Sequence, residues 1–581
     1  MEHCVAQNLA LNAIVDKKVS RSHLLYREDL VISSKLVSII CVKQKGIGVK
    51  RGRPTMIRHS CSYLLIFTCT IFFIGNSLLA QSVLEVAAEV DRLIDEQTQP
   101  SPNDVCNDET YLRRLFLDIT GKTPTLDDVL VFGLENHPEK RTKVAELLLQ
   151  DSDFGVNWGR FWRDVIYYRR SNDQVLLGAA SAEQYFRNAL NNNLSWDQVT
   201  TDLITAAGDI REDGRTALIA AQQGRPEDTV SEISRIFLGI QIQCAQCHDH
   251  PTDRWKQEQF HELAAFFPRV ALRPQMDPRT FLVYAVDRFR FQPRMNNNRF
   301  IGTLEHRMPN FEDPATPGPE VAPKFFINNE SLPLGTTDQD RRSALARWVT
   351  AKDNPWFAKA TVNRVWAELV GEGFHEPVDD MGPDREATAP AAFDYLAGKF
   401  ADSGYNMKWL IATIVSTRHY QLDSLNRRSY DQLPFQANTI QPLRSDQLMD
   451  AILNSLQFPE LPERAEDLLR RQFSQTFGYD PNNLREEVSG SIPQALLLMN
   501  APGLSRQITS RPGTMLGNLL NEVSSDRQAV QELYLKTLSR RPNRKELATN
   551  LKYIQQVGNR AEAFEDILWA LINTSEFKTR N

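Results

Sequence analysis

The sequence predicts a mainly α-helical protein in which two helical domains are joined by a smaller, irregular region that contains β-strand. Apolar residues recur at intervals of three and four on both sides of residues 269–340, as they do on one face of an amphipathic helix. Residues 269–340 are instead rich in Pro, Asn and Arg, and they include a strand-length apolar run at 281–286. Because 581 residues exceed one ordinary core, we place helical domains at 81–268 and 341–581.

The helices are predicted in order from this periodicity and from signals at their ends. Gly121 ends one helix, and Asp127 and Asp128 stand in the first turn of the next, where the helix dipole favours acidic side chains. The aromatic stripe that begins at Trp158 is interpreted as core. The predicted helical stretches are 83–96, 111–118, 158–166, 181–190, 196–207, 232–243, 254–267, 341–460, 484–499 and 527–577.

The N-terminal region carries the pattern of a secretory signal peptide at residues 56–80. Arg58 gives the positive start, an apolar run follows at 63–75, and Ala80 stands at a cleavage position. The apolar run is shorter than the roughly 20 residues of a membrane span. We therefore predict that translation starts at Met56, that residues 1–55 are a non-native or disordered extension, and that the mature protein is secreted or periplasmic without a stable membrane span. The alternative is a true N-terminal extension with a membrane anchor.

Charge and cysteine content limit the class of protein. The formal net charge of −6 gives no reason to expect nucleic acid as a partner. Of seven cysteines, only Cys106, Cys244 and Cys247 follow the predicted cleavage point. An exported protein with three cysteines is not built on a disulfide framework.

One short motif carries most of the chemistry in the sequence. Cys244, Cys247 and His248 have the C-x-x-C-H spacing of covalent c-type haem attachment. In such a motif the thiols add to the haem vinyl groups, and the histidine ligates the iron from one face. A predicted helix over 232–243 delivers the first thiol, and Pro251 breaks the chain after the motif. Export favours this interpretation, because haem of this type is attached outside the cytoplasm.

The same stretch allows two other interpretations. Cys244, Cys247 and His250 could be three tetrahedral ligands of zinc, and with water in the fourth position they would make a hydrolytic site. His248 is adjacent to Cys247, so those two residues do not easily bind one tetrahedral ion. Alternatively, the two cysteines form a disulfide and the histidines are polar neighbours. The candidates for a fourth zinc ligand are Asp253, Asp249, His261 and water.

A haem on this motif also raises the question of a second axial ligand. His250 lies only two residues from His248 and would have to reach the opposite face of the haem. His261, His306 and Met308 are candidates by residue type alone. A five-coordinate haem would instead indicate ligand or peroxide chemistry.

A second candidate group stands at 376–384, where several carboxylates fall in one turn-rich loop. Such a loop could bind a hard cation or supply a general acid and base, and it is also typical of a solvated or capping segment. We predict that Arg364, in the aromatic helix before the loop, pairs with Asp379 or Asp380.

The two ends of the sequence resemble each other. Residues 115–124 match residues 533–542 in pattern, and Asp128 falls where Glu546 does. This similarity predicts a repeated helix–turn–helix unit, with chance similarity of amphipathic helices as the alternative. Further along, residues 148–154 resemble residues 571–577, and residues 414–420 show the same pattern in part.

These motifs together resemble the planctomycete cytochrome-c-like secreted domain, followed by its usual C-terminal partner domain of unknown function. The resemblance covers nearly all of the chain after residue 80, and it implies an exported two-domain protein. The family often has a further cytochrome-like module ahead of these domains; that module is not in this sequence, which leaves any electron route shorter or different. The residues that carry the resemblance are 112–121, 162–165, 243–251, 354–358, 363–366, 376–380, 408–411 and 491–496.

The sequence therefore predicts an exported c-type haem protein of the cell envelope with a redox or electron-transfer role and a redox partner protein. Cys244, Cys247 and His248 would bind the haem. One alternative is a zinc-dependent hydrolase of envelope or extracellular polymers that uses Cys244, Cys247, His250 and Asp253. Another is a non-catalytic envelope scaffold with a structural Cys/His site.

Overall fold

Helices dominate the computed structural model, and the strands between them are short. The predicted fold class is thereby confirmed. No helix among the described residues is long and apolar enough to span a membrane. The predicted extension at 1–55 and the signal peptide at 56–80 lie outside the described residues. The structure describes residues 83–170, 172–274, 281–286, 305–311, 313, 315–425, 434–459, 461–483, 490–500 and 502–581.

The first helical block runs from residue 83 to residue 264. Its helices bury apolar faces whose spacing follows the helical period, as the sequence predicts. The helices are α1 (83–97), α2 (Asp108–Thr120), α3 (Leu126–Leu134), α4 (Lys140–Gln150), α5 (Ser152–Tyr167), α6 (Asp173–Leu176), α7 (Ala179–Asn191), α8 (Trp196–Thr205), α9 (Ala217–Ala221), α10 (Pro226–Ile233) and α11 (Gln257–Ala264).

Most of the strands lie around the predicted irregular region. The apolar run at 281–286 forms β3 (Phe281–Ala285), which pairs antiparallel with β1 (Gly208–Asp209) and β2 (Val270–Pro274). Alternation along β3 buries Phe281 and Val283 on one face. A second pair joins β4 (His306–Arg307) to β5 (Glu320–Val321).

The second helical block follows from residue 338. Within it, β6 (Ser424–Leu425) pairs with β7 (Asn438–Thr439), and β8 (Gln441–Pro442) pairs with β9 (Thr579–Arg580). Residues 484–489 of the predicted helix at 484–499 lie outside the described part of the chain. The helices are α12 (Asp338–Val349), α13 (Phe357–Val370), α14 (Pro390–Asp402), α15 (Met407–Ser416), α16 (Arg418–Gln421), α17 (Ser445–Ser455), α18 (Glu463–Phe477), α19 (Ile492–Asn500), α20 (Pro502–Ile508), α21 (Met515–Glu522), α22 (Asp526–Leu538), α23 (Arg544–Val557), α24 (Arg560–Asn573) and α25 (Ser575–Lys578).

The buried apolar side chains form two clusters. The larger cluster takes side chains from residues 83–283, from 325–435 and from Leu535, and fully buried Trp162, Trp196 and Trp366 lie in it. The smaller cluster is built mainly from residues 443–577. Helices on both sides of the irregular region thus share the larger core. The domain boundaries at 268 and 340 stay a prediction.

The predicted repeat at the two ends is confirmed in local structure. Helices α2 and α22 have the same length, and each ends at a left-handed residue, Gly121 or Ser539. Four residues later the next helix begins with a capping box, formed by Thr125 with Asp128 in one copy and by Asn543 with Glu546 in the other. In both copies the first helix contacts the second and the third.

The two copies also share an ion pair at equivalent positions. Lys122 Nζ lies 2.5 Å from Asp153 Oδ2, and Arg540 Nε lies 2.5 Å from Glu576 Oε1. Buried Arg113 joins the copies, because it donates to the carbonyl oxygens of Thr537 and Phe577. The sequence echo therefore reflects one supersecondary unit used twice and packed against itself.

The predicted helix over 232–243 is wrong in its second half. Helix α10 continues as a single π-helical turn, Ser234–Leu238, and stops at Gly239, whose φ of 64° is left-handed. A Cβ at this position would lie 2.3 Å from the Met381 Cε, so a larger residue would also displace the flexible end of that side chain. The first cysteine of the motif is consequently delivered by a separate turn.

Candidate functional site

The C-x-x-C-H motif lies on a short exposed turn, which we call the Cys-His turn (residues 244–248). Its first half is the 3₁₀ turn Gln243–Gln246, and buried Ile242 and Ala245 hold it to the core. The side chains of Cys244 and Cys247 are exposed, and both are free thiols. The backbone is thus anchored from below while both sulfur atoms are accessible.

The imidazole of His248 is held by a backbone oxygen. Its Nδ1 lies 2.7 Å from the carbonyl oxygen of Asp249, and a carbonyl only accepts, so Nδ1 carries the proton. In the neutral ring, Nε2 then keeps its lone pair. Metal-ligating histidines usually donate their second ring N–H to such an acceptor. The arrangement leaves Nε2 of an exposed side chain as a metal-binding atom.

A buried histidine pair supports the turn from inside. His261 on α11 donates from Nε2 to the carbonyl oxygen of Gln246 at 3.0 Å, and its Nδ1 lies 2.8 Å from Nε2 of His306 on β4. Because His261 donates through Nε2, its Nδ1 accepts from His306. Both rings are buried, and Nδ1 of His306 lies 3.9 Å from a carboxylate oxygen of Glu227.

Burial sets the charge state of this pair. Desolvation lowers the pKa of His261, and it lowers the pKa of His306 to about 4, with a smaller contribution from the neighbouring His261. Both rings are therefore neutral at neutral pH. Two of the three residues considered as distal haem ligands thus hydrogen-bond each other beneath the turn, and Met308 is half-buried with its backbone N–H bonded to Pro319.

The residues after the turn form a loop that leads into α11. Asp249 accepts from Lys256 Nζ at 2.8 Å and from the backbone N–H of Gln257 at 3.0 Å, so it caps the helix start. His250 donates its backbone N–H to the Trp255 carbonyl at 2.8 Å, which closes the loop. Among the described residues, no group of three or more His, Cys, Asp or Glu side chains is placed to hold a metal ion. The geometry therefore does not support the zinc set, which stays a prediction.

The second candidate group found in the sequence, at residues 376–384, contacts the segments on both sides of the Cys-His turn. We call residues 376–384 the carboxylate loop. Its Met381 N–H donates to the Gly239 carbonyl at 2.7 Å, and its Asp384 pairs with Arg254 at 2.8 Å. The Asp253 carboxylate lies against Gly382, where a Cβ would be 2.3 Å from Oδ2. The carboxylate loop thus packs against the segments that precede and follow the Cys-His turn.

The predicted pairing of Arg364 is wrong. Arg364 is buried, and it donates to the Asn482 side chain and to the Arg235 carbonyl oxygen. Asp379 pairs instead with Arg235 at 3.3 Å. Asp380 pairs with Arg385. Arg235, in the π turn Ser234–Leu238, pairs with the Asp379 carboxylate that the sequence analysis assigned to Arg364.

Arg235 is a structural residue that sequence reasoning missed. Its guanidinium pairs with Glu232 at 2.6 Å as well as with Asp379, and Gln241 donates to the second oxygen of Asp379 at 3.1 Å. This network joins α10, the segment before the Cys-His turn and the carboxylate loop. The spacing of three between Glu232 and Arg235 was its only signal in the sequence.

The buried histidine pair predicts acid sensitivity of the fold. A folded pKa near 4 lies below the usual 6.5, so the unfolded chain binds more protons between these values and stability falls as pH drops from 6.5 to 4. Replacing His306 with Gln, which can still donate to His261, is expected to remove about 3 kcal/mol of this loss. Urea unfolding measured from pH 7 to pH 4 tests the prediction. His137→Gln, at an exposed position, is the control; equal pH dependence in both variants would contradict it.

Two family models match the chain. Residues 89–271 match PSCyt2, described as a protein of unknown function (DUF1549), and residues 341–460 match PSD1, described as a protein of unknown function (DUF1553). The chain therefore carries these two domains of unknown function in the planctomycete-type arrangement, as the sequence motifs predict. No curated protein and no solved structure matches it.

Proposed function

We propose that the protein is an exported c-type haem protein with a redox or electron-transfer role in the cell envelope. The observation that carries the proposal is the Cys-His turn. It presents two free, exposed thiols three residues apart, followed at once by a histidine whose Nε2 points to no protein partner among the described hydrogen bonds. This donor set fits covalent haem c.

Each residue of the turn has a distinct part in this proposal. Cys244 and Cys247 would hold the haem as thioethers, and Nε2 of His248 would bind its iron. The hydrogen bond from Nδ1 to Asp249 fixes the tautomer and makes Nε2 a better donor to a metal. Bound haem would supply one-electron redox chemistry.

The surroundings favour a fixed position for such a group. Ala245 is fully buried, and the buried His261 holds the Gln246 carbonyl, so the turn is pinned on its inner side. Two exposed ion pairs, Asp249 with Lys256 and Arg254 with Asp384, involve the residues that directly follow it. A polar, charged surface of this kind suits transient docking of a redox partner protein.

Export is the second part of the proposal. It is supported by the signal-peptide pattern at 56–80 and by the need of c-type haem for attachment outside the cytoplasm. We infer a secreted or periplasmic location. The hydrolase and scaffold alternatives predict different results in the following experiment.

The test is the visible spectrum of the protein expressed with its export signal in a host that matures c-type cytochromes. A Soret band that stays with the denatured chain is the expected result. Colourless protein with stoichiometric zinc would replace the proposal with the hydrolase alternative. Colourless protein without metal would leave the non-catalytic envelope scaffold as the remaining alternative.

The axial ligand is tested separately with a pair of histidine variants. His248→Ala is expected to keep the covalent chromophore but to shift its Soret band, because the iron loses its protein ligand while both thiols remain. His250→Ala, two residues away, is the control and should leave the spectrum unchanged, since its Nδ1 only accepts a 3.4 Å contact from Thr252. Equal spectra for the two variants would contradict the role of His248.

A further inference from the structure

An apolar cavity of about 310 Å³ lies between four helices of the second helical block, α17, α18, α19 and α20. Among the described residues that line it, Gln472 is the only one with a polar side chain. The family models, the Cys-His turn and the carboxylate loop assign no role to it. We call it the α17–α20 cavity.

The cavity has a buried inner wall and an open mouth. Met449 and Ile452 on α17 and Phe473 on α18 are buried, so they form the inner wall. Gln472 and Leu496 line the same space but are exposed, so they mark the mouth. The inner wall is therefore apolar, and the one polar lining side chain stands where the cavity meets solvent.

The inner wall offers water little to bind. A buried water molecule usually makes about three hydrogen bonds, and the side chains of Met449, Ile452 and Phe473 supply no good partner. An engineered cavity of about 150 Å³ lined by Leu, Ile and Phe stays dry and binds benzene. The α17–α20 cavity has about twice that volume, which places it at the lower end of the roughly 300–1,000 Å³ of ligand pockets. Burial of an apolar group in it is thus favourable.

Exposed apolar side chains accompany the mouth. Leu468, which is 59% exposed, lies one helical turn before Gln472 on α18, and exposed Ile492 lies one turn before Leu496 on α19. Each helix that carries a mouth residue therefore also presents an apolar side chain to solvent on the same face. These side chains give an apolar molecule a surface to contact as it leaves water.

We propose that the α17–α20 cavity binds one medium-length fatty acid, with its acyl chain against the inner wall and its carboxylate at the mouth. The wall excludes a ligand with polar atoms along its body, because those atoms would lose their hydrogen bonds to water. A polar head is accommodated at the mouth, where it stays in solvent and the Gln472 amide would donate to it. The volume equals about ten water molecules of about 30 Å³ each, and a methylene group is of similar size, so the chain length of decanoate fits.

Calorimetric titration of the purified full chain with decanoate, below its micelle concentration, tests this site. Saturable binding of one decanoate per chain is expected. From hexanoate to decanoate the affinity should rise about fourfold for each methylene that enters the cavity. Hexadecanoate should gain little more, because its added carbons stay outside.

Two results of this titration would overturn the proposal. One is the absence of saturation by decanoate, including the case in which the chain binds phospholipid vesicles instead. The other is an affinity that rises as steeply from decanoate to hexadecanoate as it does below decanoate, since that result indicates adsorption to exposed apolar surface rather than filling of a cavity.

Adjacent leucines on α18 give a matched pair of variants. Leu469 lines the cavity, whereas Leu468 is exposed and does not line it. Leu469→Trp should fill the space and weaken decanoate binding by about tenfold or more, because overfilling a packed site is unfavourable. Leu468→Trp should leave the affinity unchanged. Equal affinity of the two variants would overturn the assignment.

Gln472→Glu tests the position of the head group and also decides the question if Leu469→Trp does not fold. Gln472 is exposed, so the core is left as it is. A carboxylate at the mouth should weaken decanoate binding by about fivefold, as two like charges about 4 Å apart in water repel, and it should leave decanol binding unchanged. Equal effects on decanoate and decanol would overturn the placement of the carboxylate.

Discussion

Replacing Cys244 and Cys247 together with Ser is expected to abolish the covalent chromophore and to leave the fold intact. The chromophore is lost because no thiol remains for thioether formation. Compared with wild-type chain produced without haem, the free energy of unfolding should change by less than about 0.5 kcal/mol, because both side chains are exposed free thiols. Visible spectra of the denatured chain and urea unfolding of the colourless variant measure the two effects.

Cys106 provides the matched control for this experiment. It is 2% exposed, and burial raises the pKa of its thiol. Cys106→Ser should keep the chromophore but lose about 1–3 kcal/mol of stability, since a hydroxyl replaces a thiol in the core. A chromophore that survives in the double serine variant would contradict attachment at the Cys-His turn.

The largest effect on stability is expected from Arg580→Met. Arg580 is buried, and its Nη1 lies 3.1 Å from both carboxylate oxygens of Asp118 on α2. Tyr420 donates to the same carboxylate at 2.8 Å. Removing the cation leaves a buried charge without its partner, which should cost about 3–5 kcal/mol.

The pH dependence identifies the cause of this loss. Burial raises the pKa of Asp118 to about 6 even with Arg580 present. The folded state therefore binds more protons than the unfolded state between pH 3.8 and 6, and the contribution of Asp118 to stability falls as pH rises through this window. Without Arg580 the pKa rises further, so the loss should be large at pH 7 and smaller at pH 5.

Arg92→Met is the control for Arg580. Arg92 pairs with Glu89 and Glu96 on the exposed face of α1, with half of its side chain accessible to solvent. Exposed pairs contribute at most about 1 kcal/mol. Equal loss in the two variants, or a loss for Arg580→Met that does not depend on pH, would contradict the account of the buried carboxylate.

Local sequence signals predicted much of the fold. Gly121, the acidic residue Asp128 and its counterpart Glu546 act within a few residues of themselves, so the helix ends and the repeat could be read from the sequence. The break at Gly239 was missed, although glycine is itself a local signal for a helix end and here closes the π turn by a hydrogen bond to the Ser234 carbonyl. The predicted helix extended past Gly239 because the prediction relied on hydrophobic periodicity alone.

The candidate site likewise has one part that local sequence signals predicted and another part that they did not. The Cys-His turn is a local motif, and its spacing was visible in the sequence. Its supports are distant: His306 lies 45 residues from His261, and Asp379 lies 144 residues from Arg235. The pairing of Asp379 with Arg235 rather than Arg364 was decided by which buried guanidinium the fold brought to that carboxylate, and residue types could not distinguish the two.

The intact mass of the chain, purified from a host that matures c-type cytochromes, tests the central claim most directly. The account predicts one haem added covalently to each chain, and a haem-bearing peptide that contains Cys244 and Cys247. A chain of unmodified mass from that host would contradict it.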